Sequence, residues 1–567
     1  MSRLVGFWIA SIVVVGNASA QAINRFGVSM AMRDGVHLVA NIWIPGATGR
    51  FPTILIRTPY DKTPQFLRYK IPNYLAAGYA IVIQDTRGRG DSEGVFDFYF
   101  PEGHDGFDSI EWIARQPWSN GRIGMDGGSY LGTVQWLAAR ERPPHLVCIA
   151  PTASSGRIFD EIPYLGGAFR LDWALPWLNS VSGRVSQSDL NDLLQWDSLF
   201  VETPLVRLDS LMGRPMTLYR AMLAHSTLDQ YWQRIQLTDR DFAGIQIPVL
   251  TTTGWFDGDQ PGALWYWDGM ERRALPGSKQ FLIIGPWNHG QTYLGGDRSE
   301  GLLRFDSTAV IPIQGERIKF FDWCLKNSTP AYDVPRVRVY VTGRNRWRES
   351  DRYPLREAVV RSLYLGSGGR ANSLQGDGRL TWEPPREVVQ DRFQSDPTDP
   401  VPAGPVARDH RGIEGRSDVL VYTSEGLAEP VEVVGRVWVR LWAATDGLDT
   451  DFTAKLLDVF PDGRAVLLGP ESVGVVRGRY RNGYQAPKLL TPGHPEEYTI
   501  ELFDIGHSFE VGHRIRVEVA SSAAPFINPN PNTGRDIATD TTWRVATQTI
   551  YHDPEHPSRI LLPVIPR

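Results

Sequence analysis

The chain has 567 residues, of which 42% are hydrophobic and 22% charged, and its formal net charge is −5 at pH 7. That length exceeds one hydrophobic core and divides into two to four domains. The mild acidity favours neither nucleic acid nor an anionic membrane surface as partner.

In chain order, "MSR" supplies a cation, "LVGFWIASIVVVG" an apolar run, and "NASA" ends in Ala18-Ser19-Ala20. This is the pattern of a signal peptide over residues 1–20, cleaved after Ala20, and the run is too short to span a membrane comfortably. The expectation is a periplasmic or secreted protein with no membrane association after cleavage. Cys148 and Cys324 each sit in apolar stretches and read as buried small hydrophobes, with a bridge between them left open.

"VSMAMRDGVHLVANIWIP" reads as a hairpin turning at Asp34-Gly35. "PTILIRTPY" and "YAIVIQDTRG" are continuous apolar runs, as strands buried on both faces of a parallel sheet require. "HDGFDSIEWIARQPW" has helical spacing, and "RIGMDGGSYLG" leads into the helix "TVQWLAARE" and the strand "HLVCIAP". The expected fold is α/β, with residues 21–151 and 241–350 forming one core. Residues 152–240 read as helices without intervening strands, an insertion that acts as a cap over the strand ends. From 351 to 567, short alternating runs separated by Gly, Pro and Asp read as an all-β sandwich, with "SDPTDPVPAGP" as a linker or long loop.

The chemistry centres on "RIGMDGGSYLGTVQWLAA", where Gly127, Gly128 and Gly132 surround Ser129 between a strand and a helix. Such a turn holds a serine hydroxyl exposed and fixed, as a nucleophile requires, although a plain Gly-rich turn has the same composition. The second glycine falls three residues after the serine, with Leu131 at the usual position. Two later strand ends offer the partners in the expected order: Asp257 after "VLTTTGWF" and His289 after "FLIIGPWN". Ser129, Asp257 and His289 are thus a candidate catalytic triad. "DTRGRGDSEG" does not match a calcium loop, and Asp85, Arg87, Asp91 and Glu93 are expected to brace one another beneath the site. No His or Cys cluster points to a metal, and no cofactor is expected.

Several stretches resemble the cocaine esterase and X-Pro dipeptidyl-peptidase-like group of serine hydrolases, the CocE/NonD type: "RTPYDK" (57–62), "QDTRGRGDSEG" (84–94), residues 105–132, "GWFDG" (254–258), "GPWNH" (285–289), "DTDFTAKLLDVFPDG" (449–463) and "NPNTG" (530–534). The resemblance covers nearly all of the chain after residue 20. It implies an α/β-hydrolase core with a helical cap, and a jelly-roll, galactose-binding-like domain at the C-terminus. It also implies that Ser129 is the nucleophile, His289 the base and Asp257 its orienting acid. An oxyanion hole made by the Tyr60 hydroxyl and the Tyr130 backbone N–H follows from the same resemblance.

The expected reaction is hydrolysis of a small ester, amide or short peptide through an acyl-enzyme. The family's X-Pro peptidases carry a large helical N-terminal domain that this chain is not expected to have, which favours an esterase. An X-Pro dipeptidyl-peptidase or α-amino acid ester hydrolase is the alternative, and a non-catalytic binding protein a remote one. Trp173, Trp177 and Phe169 could wall an acyl pocket or simply fill the cap. Asp259, two residues after the acid, either makes the pocket anionic for an ammonium-bearing substrate or is held exposed by a turn.

Overall fold

The computed structural model describes residues 22–63, 65–273, 278–327, 332–471 and 473–566, so the leader expected over 1–20 lies outside the described residues. β1 (Ile23–Ala31) and β2 (His37–Ile44) form the hairpin, with Gly35 at φ +84 in its turn. β3 (Phe51–Thr58), β4 (Ala80–Asp85), β5 (Ser119–Gly128) and β6 (Leu146–Thr152) follow. Between them lie α1 (Lys70–Ala76), α2 (Glu102–Ala114) and α3 (Tyr130–Arg140).

The cap differs from its sequence reading. Residues 158–169 form a small sheet, β7 (Ile158–Asp160), β8 (Ile162–Leu165) and β9 (Ala168–Phe169), instead of a helix. Pro163 removes a backbone donor, and Gly166 and Gly167 take φ +55 and +83, which turns the chain between β8 and β9. Helix proper begins only at α4 (Leu171–Val181).

β10 (Val249–Phe256), α5 (Gln260–Arg273), β11 (Gln280–Asn288), the one-turn α6 (Gln291–Leu294) and α7 (Ile313–Lys326) restore the alternation, closed by β12 (Val337–Val341) and β13 (Arg346–Ser350). The ten strands lie in the order β1-β2-β4-β3-β5-β6-β10-β11-β12-β13. Pairing is parallel from β4 through β12, so the carboxyl ends of β3, β5, β10 and β11 share one edge. Every residue of β4 and β10 is buried, which is why these segments read as unbroken apolar runs.

The last third is all-β, a second sheet of twelve strands in sequence of pairing whose longest member, Val431–Thr445, pairs antiparallel with Glu496–Phe509. Its signature motifs interlock. Arg477 grips Asp451 through Nε and Nη2 at 2.8 and 2.9 Å, and Asn530 donates to Asp449 and Asp451 at 3.1 and 2.8 Å. The Arg477 backbone N–H also bonds Gly166 O at 2.8 Å, fastening the cap to this domain.

Within "DTRGRGDSEG" the expected bracing holds in part, the Asp91 N–H donating to Asp85 Oδ2 at 3.1 Å and the Gly88 N–H to Glu93 O at 2.8 Å, but most side-chain partners lie elsewhere. Lys62 Nζ sits between Asp85 and Asp91 at 2.7 and 2.5 Å, Arg87 pairs with Asp105 and Asp34, and Glu93 accepts from the His37 N–H. The partners come from other segments because the loop's backbone curls around Lys62. Cys148 and Cys324 are both buried free thiols.

Asp451 and Arg477 are both fully buried, so removing one partner strands a charge in the interior. Arg477→Met should cost about 3–5 kcal/mol and lower the urea midpoint of the C-terminal domain's unfolding, followed by far-UV circular dichroism.

Candidate active site

Ser129 occupies the turn between β5 and α3 with φ 59 and ψ −130, a conformation that costs a non-glycine residue of order 1–3 kcal/mol. The surroundings hold it there. Its backbone N–H bonds the carbonyls of Thr152 and Ala153 at the end of β6, at 3.0 and 2.8 Å. A Cβ on Gly127 would lie 2.5 Å from Leu131 Cβ, one on Gly128 2.1 Å from the Tyr293 ring, and one on Gly132 2.8 Å from Thr152 O. The three glycines are therefore contact requirements of the turn. Just before it, buried Asp126 accepts from Lys70 Nζ at 2.6 Å and Tyr74 Oη at 2.8 Å, which ties β5 to α1.

Asp257 and His289 follow β10 and β11, neighbouring strands of the sheet. His289 Nδ1 lies 2.7 Å from Asp257 Oδ1, and buried Asp257 also accepts from Thr253 Oγ1 at 2.7 Å. This leaves Nε2 as the working nitrogen of the neutral ring. Here it meets the Tyr293 hydroxyl at 2.9 Å. The Ser129 hydroxyl holds the Tyr60 and Tyr293 phenols and the Asp259 carboxyl lower than burial alone would.

Tyr60 stands two residues past β3. Trp177 Nε1–H donates to its oxygen at 3.1 Å, which directs the phenol's own proton away from the cap. Burial pushes the Tyr60 phenol up, so it stays a protonated donor at neutral pH. Arg89 fixes the loop, donating to Pro59 O and to Val181 O of the cap, both at 2.6 Å. Tyr130 opens α3; its side chain points inward and donates to Glu102 Oε1 at 2.8 Å.

One cavity of about 370 Å³ gathers Tyr60, Ser129, Tyr130, Trp173, Trp177, Asp259 and His289. Trp173 and Trp177, four residues apart on α4, stack at 5.2 Å between centroids and present one aromatic wall. Asp259 is part of this cavity and lies 3.9 Å from His289 Nδ1, so the reading of an exposed turn residue does not hold. Burial and the Asp257 charge push its carboxyl up to about 6, against the pull of His289 and Arg170. Burial alone would lower the His289 imidazole, but Asp257, its hydrogen bond, Asp259 and Glu471 together push it up to about 9.

Phe169 does not reach the cavity. It is fully buried in the cap against Tyr164 and Tyr219, because the β8–β9 turn faces it into the cap's core. Ile162 from the same segment lines the cavity instead.

Four further residues escape a reading of the sequence. Arg170 and Glu471 line the cavity and pair at 2.7 Å across 301 positions, with no local signal. Glu161 lies buried behind Asp259, accepting from the Gly156 and Arg157 N–H groups at 2.9 Å, and burial and the Asp259 charge push it well above the carboxylate range. Tyr293 was detectable, four residues after His289, had the one-turn helix α6 been recognised. Among the described residues no group of three or more His, Cys, Asp or Glu is arranged to hold a metal ion.

Residues 34–291 match the model of the X-Pro dipeptidyl-peptidase (S15) family, and residues 331–561 that of the X-Pro dipeptidyl-peptidase C-terminal non-catalytic domain. The chain is 36% identical to the cocaine esterase of Rhodococcus sp. (strain MB1 Bresler), over 98% of this chain and 100% of that protein. An aminopeptidase from a marine-sediment Thaumarchaeota archaeon superimposes with TM-score 0.85 at 29% identity, covering 100% of both chains. An α-amino acid ester hydrolase superimposes with TM-score 0.85 at 28% identity, covering 99% of this chain and 98% of that one.

The Asp259 charge stabilises protonated His289, so the imidazole must lose its proton before it can act as a base. Activity should rise with pH through a value above the ordinary imidazole range. Asp259→Asn removes one negative charge, favours the neutral ring, and should move the acid limb of kcat/KM down by ~1 pH unit. The check is a pH–rate profile on an uncharged ester.

Proposed function

The chain belongs to the cocaine esterase (CocE/NonD) family of serine hydrolases and carries its S15 module, and from that premise we propose that it hydrolyses carboxylic esters through an acyl-enzyme on Ser129. The observation that carries this reading is the strained Ser129 turn facing an Asp257–His289 pair bonded at 2.7 Å. Ser129 Oγ attacks the carbonyl carbon while His289 Nε2 takes its proton, and Asp257 stabilises the imidazolium. The Tyr60 hydroxyl and the Tyr130 N–H at the start of α3 receive the oxyanion. Nε2–H then protonates the leaving atom, and water, activated by the same nitrogen, releases the acid. For Nε2 to reach Ser129, the Tyr293 hydroxyl must yield its bond.

A second reading concerns the acyl group. Asp259 and Glu471 line the pocket, Arg170 pairs with Glu471 at 2.7 Å, and Asp259 is left as the carboxylate that faces the cavity. This favours acyl groups bearing an ammonium, as α-amino acid esters and peptide N-termini do, and the aminopeptidase and α-amino acid ester hydrolase among the structural relatives support it. X-Pro dipeptidyl cleavage is the amide form of the same idea. Export to the periplasm or medium is proposed on the pattern of residues 1–20 alone.

Ser129→Ala should abolish nitrophenyl ester turnover and labelling by a fluorophosphonate probe; labelling that persists would assign the nucleophile elsewhere. Tyr60→Phe should lower kcat about a hundredfold with little change in KM, as loss of an oxyanion donor does. Phenylalanine methyl ester and its des-amino analogue, compared in wild type and Asp259→Ala, test the acyl reading. The amino-ester preference should collapse at least tenfold in the variant, whereas an unchanged ratio would remove Asp259 from specificity. Ala-Pro-nitroanilide alongside them separates esterase from peptidase.

A further inference from the structure

A second cavity, of about 550 Å³, also reaches Ser129. It shares Tyr60, Ser129, Trp177 and His289 with the acidic pocket, but its remaining walls include Leu67, Tyr69, Leu131, Tyr293 and Leu294. Lys70 reaches this wall with its ammonium committed to Asp126 at 2.6 Å. Apart from Lys70 and His289, the described lining carries no charged side chain.

The imidazole tells the two cavities apart. Its Nδ1 edge lies 2.7 Å from Asp257 and 3.9 Å from Asp259, and Asp259 lines the acidic pocket. Its Nε2 edge meets the Tyr293 hydroxyl at 2.9 Å, and Tyr293 lines the second cavity. Tyr293 is itself fixed. Its carbonyl accepts from Tyr69 Oη at 3.2 Å and Arg317 Nη1 at 3.4 Å, and its ring abuts Gly128. The hydroxyl therefore marks where Nε2 points, and once that bond is exchanged a departing atom must come within about 2.6–3.2 Å of Nε2 to collect a proton.

We propose that this second cavity is the leaving-group site, and that it takes an uncharged, apolar alcohol or amine of aromatic size, while the acyl group lies in the acidic pocket. The proposal rests on acyl transfer at Ser129. The Ser129 Oγ–carbon bond forms as the carbonyl pair moves to oxygen, and the carbon–leaving-atom bond breaks when that oxyanion collapses. The proton taken from Ser129 by Nε2 passes to the leaving atom, which departs as a neutral molecule into the apolar chamber. Run backwards, the same chamber should bind an added alcohol and present its oxygen to Nε2, so that it competes with water for the acyl-enzyme.

The test uses methyl and benzyl esters of one acyl group, with methanol or benzyl alcohol added to intercept the common acyl-enzyme. In the unmodified protein, kcat/KM should favour the benzyl ester at least tenfold, and benzyl alcohol should intercept at lower concentration than methanol. Equality on both counts overturns the proposal. Leu294→Trp and Ser188→Phe, which place bulk at the chamber's exposed rim, should each reduce the benzyl-to-methyl ratio and benzyl alcohol interception at least fivefold. A folded variant pair in which both are unchanged, or in which acyl selectivity moves instead, also overturns it. Absence of hydrolysis with every ester would defeat the proposed reaction itself, a result distinct from hydrolysis without leaving-group preference.

Discussion

The site depends on one strained residue. Ser129 adopts a backbone conformation that its own side chain disfavours, and it stays there because everything around it admits no other path. The N–H is bound to the end of β6, and the adjoining glycines have no room for a side chain. The buried Asp126 anchors the strand that delivers the turn to Lys70, Tyr74 and Arg317. A rigid elbow of this kind lifts the hydroxyl clear of the backbone, and the cost of the strain is spread over the packed sheet beneath.

Once Ser129 is fixed, the remaining groups need only arrive at the same sheet edge. Parallel pairing from β4 to β12 brings the carboxyl ends of β3, β5, β10 and β11 together, so residues 60, 129, 257 and 289 converge despite their separation in sequence. The imidazole then divides the space. Carboxylates crowd its Nδ1 side and raise its affinity for a proton, while hydroxyls and apolar walls occupy the Nε2 side. An imidazole held this way has an electrostatic direction, with the acidic cavity on its Nδ1 edge and the more apolar one on its Nε2 edge.

Much of this was legible in the sequence because it is local. Continuous apolar runs announced the buried strands, and a Gly-rich turn between strand and helix announced Ser129. Asp257 and His289 could be picked out because each directly follows a strand. What the sequence hid was set by tertiary contact. The β7–β9 sheet in the cap has helix-like apolar spacing, but Pro163 and the Gly166–Gly167 turn override it, and that turn seats against Val475 and Tyr480 of the other domain. Phe169 and Trp173 look alike as cap aromatics; only the direction of the chain after that turn sends one into the core and the other into the cavity. Lys62 bridging Asp85 and Asp91 likewise depends on a loop curling back from another segment.

The C-terminal domain, whose matching family model is described as non-catalytic, is part of the site's electrostatics. Its Glu471 reaches the acidic pocket and pairs with Arg170 of the cap at 2.7 Å, while Arg170 also stacks on Phe526 at 4.1 Å from the ring centroid. Without Glu471, Arg170 would keep only Asp172, at 3.3 Å, as a carboxylate partner, and more of its charge would act on Asp259 and His289. It would then lower the proton affinity of both and pair with the carboxylate that gives the pocket its sign. Glu471 therefore keeps Arg170 occupied and leaves Asp259 to face the cavity. Burial pushes the Glu471 carboxyl up to about 7 even beside that arginine, so the pair's charge balance, and with it the pocket's polarity, is set by how closely the two domains pack. The acidic character of the pocket is thus a property of the domain interface, which is why neither the catalytic core nor its loops read alone could have revealed it.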